Sequence, residues 1–265
     1  MDTSAVMGFT NSLFNLINRE RPTYLAVAFD KGGSDVRSEI YTEYKANRPE
    51  TPEAIRIAVP YIQALLEAMN IPIIEKEGYE ADDIIGTLAK QAENEGFDVY
   101  MMTHDKDFAQ LVSPNIFMYL PSRKGNGIEI WGVKEVQEKF DIEHPDQVID
   151  YLGMMGDSVD NIPGLPGVGD KTARKFLAQY GSMENLLANT HEIKGKLRKK
   201  IDENKELGIL SKKLARILLD VPVSFDEKKY ILEQPNTDKV LEIFQELEFR
   251  QLGSRLQKLF SVAEE

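Results

Sequence analysis

The sequence predicts an α/β fold: a mostly parallel central sheet with helices on both faces, followed by an all-helical module. Three observations predict it. Continuous apolar runs such as "TYLAVAFD" and "FDVYMM" read as strands buried on both faces. Helical stretches alternate with these runs, which is the order of parallel strands joined by crossover helices. From about residue 133 the strand signal stops and one short helix follows another.

The first helix is "TSAVMGFTNSLFNLIN", with Val6, Phe9, Leu13, Phe14 and Ile17 on one face and Thr3 or Ser4 as its cap. The strand "TYLAVAFD" then ends in Asp30. Residues 31–52 are polar, aromatic and basic with no apolar face to bury, the mark of a functional or mobile segment. "EAIRIAVPYIQALLEAMN" predicts a helix kinked at Pro60, "IPIIEKEG" a short strand, and "EADDIIGTLAKQAENEG" a helix stopped by Gly96. "FDVYMMTHDKD" is a buried strand ending in acids, with the short helix "DFAQLV" after it. "NIFMYLP" and "IEIWG" predict an edge hairpin turning around Gly125 and Gly127. Helices follow at "VKEVQEKF", "PDQVIDYLGMMG", "DKTARKFLAQYG", "SMENLLAN" and "IKGKLRKKIDENKELGILSKKLARIL". "VPVSF" adds a last strand, and "TDKVLEIFQELEFRQLGSRLQKLF" closes the chain as helix. The implied boundaries are 1–132 for the α/β core, 133–219 for the helical module, and 220–265 for the closing strand and helices.

Composition narrows the class. With 265 residues, 42% hydrophobic and 29% charged, the chain has the make-up of an ordinary soluble globular protein with a substantial core. There is no cysteine, which excludes disulfides and thiolate metal sites and fits a reducing, cytoplasmic setting. No apolar run reaches membrane-spanning length, and "MDTSAVMGF" lacks the basic start and apolar centre of a secretory signal. The net charge of -12 speaks against a nucleic-acid partner, but its distribution speaks for one. Residues 171–216 hold 12 Lys or Arg against 5 Asp or Glu, while residues 1–170 hold 14 against 29. A basic module beside an acidic region suits a protein that holds a polyanion with one part and does something else with the other.

The acids fall at predicted strand ends. Asp30 ends one strand, Glu80, Asp82 and Asp83 follow another through a short loop, and Asp105 and Asp107 end a third. Strand carboxyl ends meet at one edge of an open α/β sheet, so six carboxylates converge, and Asp157 and Asp160 in "MGDSVDNIPG" lie within reach. Like charges about 4 Å apart repel by roughly 4 kcal/mol at an effective dielectric near 20, so such a cluster needs cations. All-oxygen donors select Mg²⁺ or Mn²⁺, and two such ions can clamp a phosphodiester. Each motif also has a plainer reading: Asp82 and Asp83 as helix-capping acids, and Asp105 and Asp107 as an exposed turn or a phosphatase motif.

"GLPGVGDKTARKF", residues 164–176, is a glycine-rich turn running into a basic helix. Gly167 and Gly169 let the backbone approach a phosphate, and Lys171, Arg174 and Lys175 add charge without base-specific chemistry. In "YTEYKANRPE", Tyr41, Tyr44, Lys45 and Arg48 combine rings with cations, the equipment for threading a single strand. An ordinary helix-turn-helix corner and a solvated charged loop are the plainer alternatives. Trp131, the only tryptophan, suits packing, and His104 receives no role.

The motifs "VAFD", "YKANRPETP", "GYEADDIIGTLA", "THDKDFAQLV", "GDSVDNIPGLPGVGDKTA" and "LGSRL" resemble, in order and spacing, those of bacterial 5'-nucleases. The resemblance is to the 5'-3' exonuclease domain of DNA polymerase I and the related flap endonucleases, and it covers nearly the whole chain. It implies a PIN-like nuclease core with a helical arch at about 31–52 and a helix-three-turn-helix DNA-binding module. It implies that Asp30, Glu80, Asp82, Asp83, Asp105, Asp107, Asp157 and Asp160 match the family's metal-site acids, holding two Mg²⁺ or Mn²⁺ ions. Lys45 and Arg48 match arch residues that face the scissile phosphate, with Tyr41 and Tyr44 beside them. Gly164, Gly167, Val168, Gly169, Lys171, Thr172, Arg174 and Lys175 match the segment that grips duplex backbone, with K⁺ on its main-chain oxygens.

The implied reaction is hydrolysis of DNA or RNA-primer phosphodiesters near single-strand/duplex junctions in replication and repair. The implied partner is branched or nicked DNA with a 5' single strand. The implied setting is a cytoplasmic, nucleoid-associated monomer linked to a polymerase module after residue 265. One departure stands out: the family pattern opens with a buried strand carrying a further metal-ligand Asp, and Asp2, which precedes a helix, does not replace it. The departure implies weakened metal binding and poor cleavage, with a DNA-binding but inactive fragment as the alternative reading.

Overall fold

The strand signals form two short sheets among the described residues, where the sequence predicts one. The structure, a computed structural model, describes residues 2–122 and 127–260. In chain order the elements are α1 (Ser4–Glu20), β1 (Val27–Ala28), α2 (Asp35–Ile40), α3 (Glu53–Ala68), β2 (Ile73–Ile74), α4 (Ala81–Asn94) and β3 (Val99–Met102). A 3-10 turn (Lys106–Leu111), β4 (Ile116–Pro121) and β5 (Ile128–Trp131) follow. The helical part runs through α5 (Val133–Phe140), α6 (Gln147–Met155), α7 (Asp170–Tyr180), α8 (Met183–Ala188), α9 (Lys196–Asp202) and α10 (Lys205–Ala215). The chain ends with α11 (Glu227–Tyr230), α12 (Thr237–Glu246) and α13 (Leu252–Phe260). Among the described residues no helix is long and apolar enough to cross a membrane.

Two compact units emerge. The first comprises Met1–Phe29, Pro49–Glu75 and Asp226–Glu265. Its parallel strand pair aligns Val27 with Ile73 and Ala28 with Ile74. The apolar stripe predicted for α1 is buried at Val6, Leu13, Phe14 and Ile17, against Leu65 and Leu66 of α3 and Val240 and Phe244 of α12. Phe14 meets Phe244 edge-on at 6.1 Å, the arrangement aromatic quadrupoles favour. Neither Thr3 nor Ser4 caps α1 with its side chain; Asp2 does, accepting the Ser4 N–H at 2.9 Å. The single closing helix expected from the sequence is two, α12 and α13, because Glu248 turns into the left-handed region and Phe249 folds back to donate to the Phe244 carbonyl.

The second unit comprises Asp30–Arg48 and Lys76–Phe225. Strand β3 runs parallel to β4, pairing Val99 with Ile116, and β4 runs antiparallel to β5, pairing Met118 with Trp131. The hairpin is where the sequence places it; its expected turn at Gly125 lies outside the described residues. One core joins Phe108, Ile116 and Met118 to Val136 of α5 and Leu152 of α6, so the boundary expected at residue 132 runs through packed side chains. "VPVSF" does not form a strand. Pro222 has no N–H for a ladder, and the segment bonds instead to side chains one turn apart on α4. Val221 donates to Thr87 Oγ1 and Phe225 to Gln91 Oε1, while Gln91 Nε2 donates to the Val223 carbonyl. Residues 31–52 hold more structure than their composition predicts: Ser34 caps the short helix α2, and Arg37 and Tyr44 are buried.

Candidate active site

Every acid singled out by the sequence lies in the second unit. Asp30, directly after β1, accepts the Ala81 N–H at 2.7 Å and so holds the start of α4. That first turn presents Glu80, which is buried, and Asp82, which is half-buried. Strand β3 delivers Asp105, whose Oδ1 accepts the Asp107 N–H at 2.9 Å and caps the 3-10 turn. Asp157 and Asp160 sit on a tight loop closed by reciprocal Asp157–Ile162 backbone bonds of 2.9 and 2.7 Å. Gly156 and Gly164 permit that closure. Both adopt positive φ, and a Cβ on either would lie 2.5–2.6 Å from backbone atoms of the opposite strand of the loop.

Electrostatic influence links the acids in two overlapping sets. Asp82 is pushed up to about 7, by burial first and then by Asp105, Glu80 and Asp30. Asp107 is pushed up to about 7, by burial and then chiefly by Asp105, with Asp157 and Asp160 adding to it. Asp105 belongs to both groups. Asp107 Oδ1 is buried and accepts no hydrogen bond, the only such side-chain atom among the described residues. A buried carboxylate oxygen without a donor calls for a cation.

Two cations of the chain itself reach these acids. Lys45 Nζ lies 2.6 Å from Glu80 Oε1 and 3.8 Å from Asp160 Oδ2, and Arg48 pairs with Asp160. The turn that carries them is fastened to the 157–161 loop: Lys45 N donates to the Asp160 carbonyl, Asn47 Nδ2 to Ser158, and Asn161 Nδ2 to Glu43. Lys45 itself sits at φ 56°, a left-handed conformation that costs a non-glycine residue of order 1 kcal/mol and persists where the surroundings enforce it. Among the described residues no three acidic or imidazole groups converge in the arrangement of an ion site. Lys45 bridges Glu80 and Asp160, and Arg48 pairs with Asp160, so these two carboxylates have ammonium and guanidinium counter-ions. The donor set still fits divalent ions of the magnesium type: all oxygen, partly buried, mutually repelling, and with one oxygen unsatisfied.

Several sequence expectations need correction. Asp83 is not aimed at the other acids; it is fully buried and makes a bidentate pair with Arg37, at 2.7 and 2.8 Å. Tyr44 offers no open ring for stacking: it is 8% exposed, and its hydroxyl donates to Glu80 Oε2 at 3.2 Å. Tyr41 is half-buried against the core. In the glycine turn, the Gly164 N–H is already donated to Ser211 Oγ at 2.9 Å, and Val168 is buried. Arg174 is tied to Asp170, the Lys139 carbonyl and the face of Tyr151. Gly167, Gly169, Lys171 and Lys175 are exposed and Thr172 half-exposed, so these remain open to a phosphate backbone. Arg37 is the residue that sequence reasoning missed. Its only signal was an arginine one turn into a helix with Ser34 as cap, which is indistinguishable from a solvated one.

Two family profiles match the chain: 5'-3' exonuclease, N-terminal resolvase-like domain, over residues 1–141, and 5'-3' exonuclease, C-terminal SAM fold, over residues 143–238. The 5'-3' exonuclease of Aquifex aeolicus is 38% identical over 261 residues, which cover 98% of this chain and 88% of that protein. DNA polymerase I of Bacillus caldotenax is 43% identical over 264 residues, 99% of this chain and 30% of the polymerase. DNA polymerase I of Caldicellulosiruptor bescii is 40% identical over 256 residues, 96% of this chain and again 30% of the polymerase. The chain thus spans about 30% of the length of these polymerase relatives. Among solved structures, T5 5'-exonuclease with divalent zinc ions bound shares the fold at a TM-score of 0.69 and 20% identity, covering 98% of this chain and 91% of that one. The catalytic core of Rad2 in complex with DNA substrate shares it at 0.67 and 17% identity, covering 100% and 87%. With both halves matched in sequence and the α/β core and helical module matched in fold, the chain belongs to the 5'-3' exonuclease family.

Proposed function

We propose that this chain is a divalent-metal-dependent 5'-3' exonuclease and flap endonuclease domain, hydrolysing phosphodiesters near single-strand/duplex junctions. The observation that carries the reading is the pair of acid groups sharing Asp105, with a buried, unbonded Asp107 oxygen in one and Lys45 reaching into both. Asp30, Glu80, Asp82 and Asp105 would hold one Mg²⁺ or Mn²⁺ ion, and Asp105, Asp107, Asp157 and Asp160 a second. Such ions, when bound, stabilise the charge that develops on the attacking and leaving oxygens of a phosphodiester.

The protein's own groups do the rest. Once the acids have inorganic counter-ions, Lys45 and Arg48 can turn their charge to the phosphate being cut, from a turn already fastened over the site. Tyr44 orients Glu80 through its hydroxyl. Gly167, Gly169, Lys171, Thr172 and Lys175 hold duplex backbone without reading bases, with K⁺ on main-chain oxygens of the 164–169 turn as part of the same reading. The partner is branched or nicked DNA with a 5' single strand, or an RNA primer, met in the cytoplasm by a monomeric domain working beside a polymerase module, as in the DNA polymerase I relatives. A 5'-labelled flap duplex tests the proposal: short labelled products cut near the junction appear with Mg²⁺ and vanish with a chelator. A gel shift without any product, in Mg²⁺ and in Mn²⁺ alike, overturns it.

A further inference from the structure

The Arg37–Asp83 pair is bonded at every donor of the arginine and on both oxygens of the aspartate. Arg37 has five N–H donors, and all five are used. Nη1 donates to Asp83 Oδ2 at 2.7 Å and Ser34 Oγ at 3.3 Å; Nη2 donates to Asp83 Oδ1 at 2.8 Å and the Arg216 carbonyl at 2.7 Å. Nε donates to the Leu214 carbonyl at 3.1 Å. Asp83 is filled from the other side. Oδ1 also accepts the Leu218 N–H at 2.8 Å, and Oδ2 the Glu80 N–H at 3.4 Å. A carboxylate offers about four lone-pair sites, and here all four have donors. Nothing is left for an ion.

The joint fastens three segments that carry different work. Arg37 lies on α2, eight residues before Lys45. Asp83 lies in the first turn of α4, beside Glu80 and Asp82. Leu214, Arg216 and Leu218 lead out of α10, at the end of the basic stretch 171–216. We propose that Arg37 and Asp83 are positioning residues, a buried clamp that fixes the Lys45–Arg48 turn to the first turn of α4 and the exit of α10. Asp83 is accordingly not a metal ligand. The proposal rests on the nuclease reading for its effect on rate, but its structural content does not.

The test uses the intact chain with three variants. Asp83→Asn removes the charge and keeps the shape. Arg37→Lys keeps the charge but offers three donors on a single nitrogen. The double variant Arg37→Met with Asp83→Leu replaces the buried pair by apolar groups, which proteins often tolerate without loss of stability. Hydrogen exchange of the amides of residues 41–48 is expected to quicken at least tenfold in all three. Calorimetric affinity for Mn²⁺ is expected to stay within about threefold of the parent, and kcat for a flap duplex to fall at least tenfold with KM little changed. A tenfold weaker Mn²⁺ affinity in Asp83→Asn, with unaltered exchange at 41–48, overturns the clamp and restores Asp83 as a ligand. If the parent chain cuts no DNA, the nuclease reading fails and the rate arm with it, while exchange and Mn²⁺ affinity still decide the clamp.

Discussion

Asp107 shows how one side chain can carry a site's chemistry in its discomfort. Its carboxyl is held near 7 by burial and by Asp105, and one of its oxygens has no donor. In the folded chain without metal, a raised acid contributes stability below its unfolded value of 3.8 that is lost as the pH climbs through about 7. Asp107→Asn, which cannot ionise, is therefore expected to melt several degrees above the parent at pH 8 in chelator, and close to it at pH 4. Thermal unfolding at the two pH values checks the sign. Lys45 is the complementary case, a cation in a strained backbone conformation between two carboxylates. Lys45→Ala should lower kcat on a flap duplex about 100-fold, the scale seen when a positioned transition-state donor is removed. DNA affinity, read by gel shift, should change far less. Removing one partner of the Arg37–Asp83 pair leaves a buried charge alone, and the loss of stability in Asp83→Ala should reach roughly 3–5 kcal/mol in denaturant unfolding.

At the scale of elements, tight backbone geometry places the side chains. The Gly156–Gly164 closure aims Asp157 and Asp160, and an added methyl at either glycine meets main chain, not a flexible side chain. Gly164→Ala should therefore destabilise the protein by roughly 1–3 kcal/mol and weaken Mn²⁺ binding, because the strain falls on the loop that carries two acids. Calorimetry and melting together check this.

Much at this level was legible beforehand. Strand β3 leading to Asp105, the acid-led helix α4 and the glycine turn before α7 announce themselves by apolar runs, caps and glycine spacing. What could not be read was bonding between distant segments. "VPVSF" has strand-like residues, yet its partners are Thr87 and Gln91, polar side chains four residues apart on α4. The 31–52 stretch shows no periodic apolar face because Arg37 is buried through polar contacts and Tyr44 enters the core as a ring whose hydroxyl bonds Glu80, and neither leaves a hydrophobic period.

For the molecule as a whole, charge asymmetry is the feature that composition alone would have hidden. A net of -12 coexists with a basic stretch over 171–216, and the structure sorts that stretch into cations with internal duties and cations open to solvent. Lys212 is bound to Asp150 and Glu184, and Arg174 to Asp170, whereas Lys171 and Lys175 are exposed. Lys171→Ala and Lys175→Ala should each weaken duplex binding on every sequence and reduce the salt slope of log K by about 1. Arg174→Ala should act mainly on stability. Fluorescence anisotropy across a salt series separates the two classes.

The proposed pair of ion sites sharing Asp105 underlies the whole functional account, and direct counting of bound ions tests it with no substrate involved. Isothermal titration of the intact chain with Mn²⁺ is predicted to give up to two ions per molecule, tighter at pH 8 than at pH 6, with binding weakened at least tenfold in Asp105→Asn. Absence of Mn²⁺ binding in the parent, or affinity and stoichiometry untouched by Asp105→Asn, would contradict it.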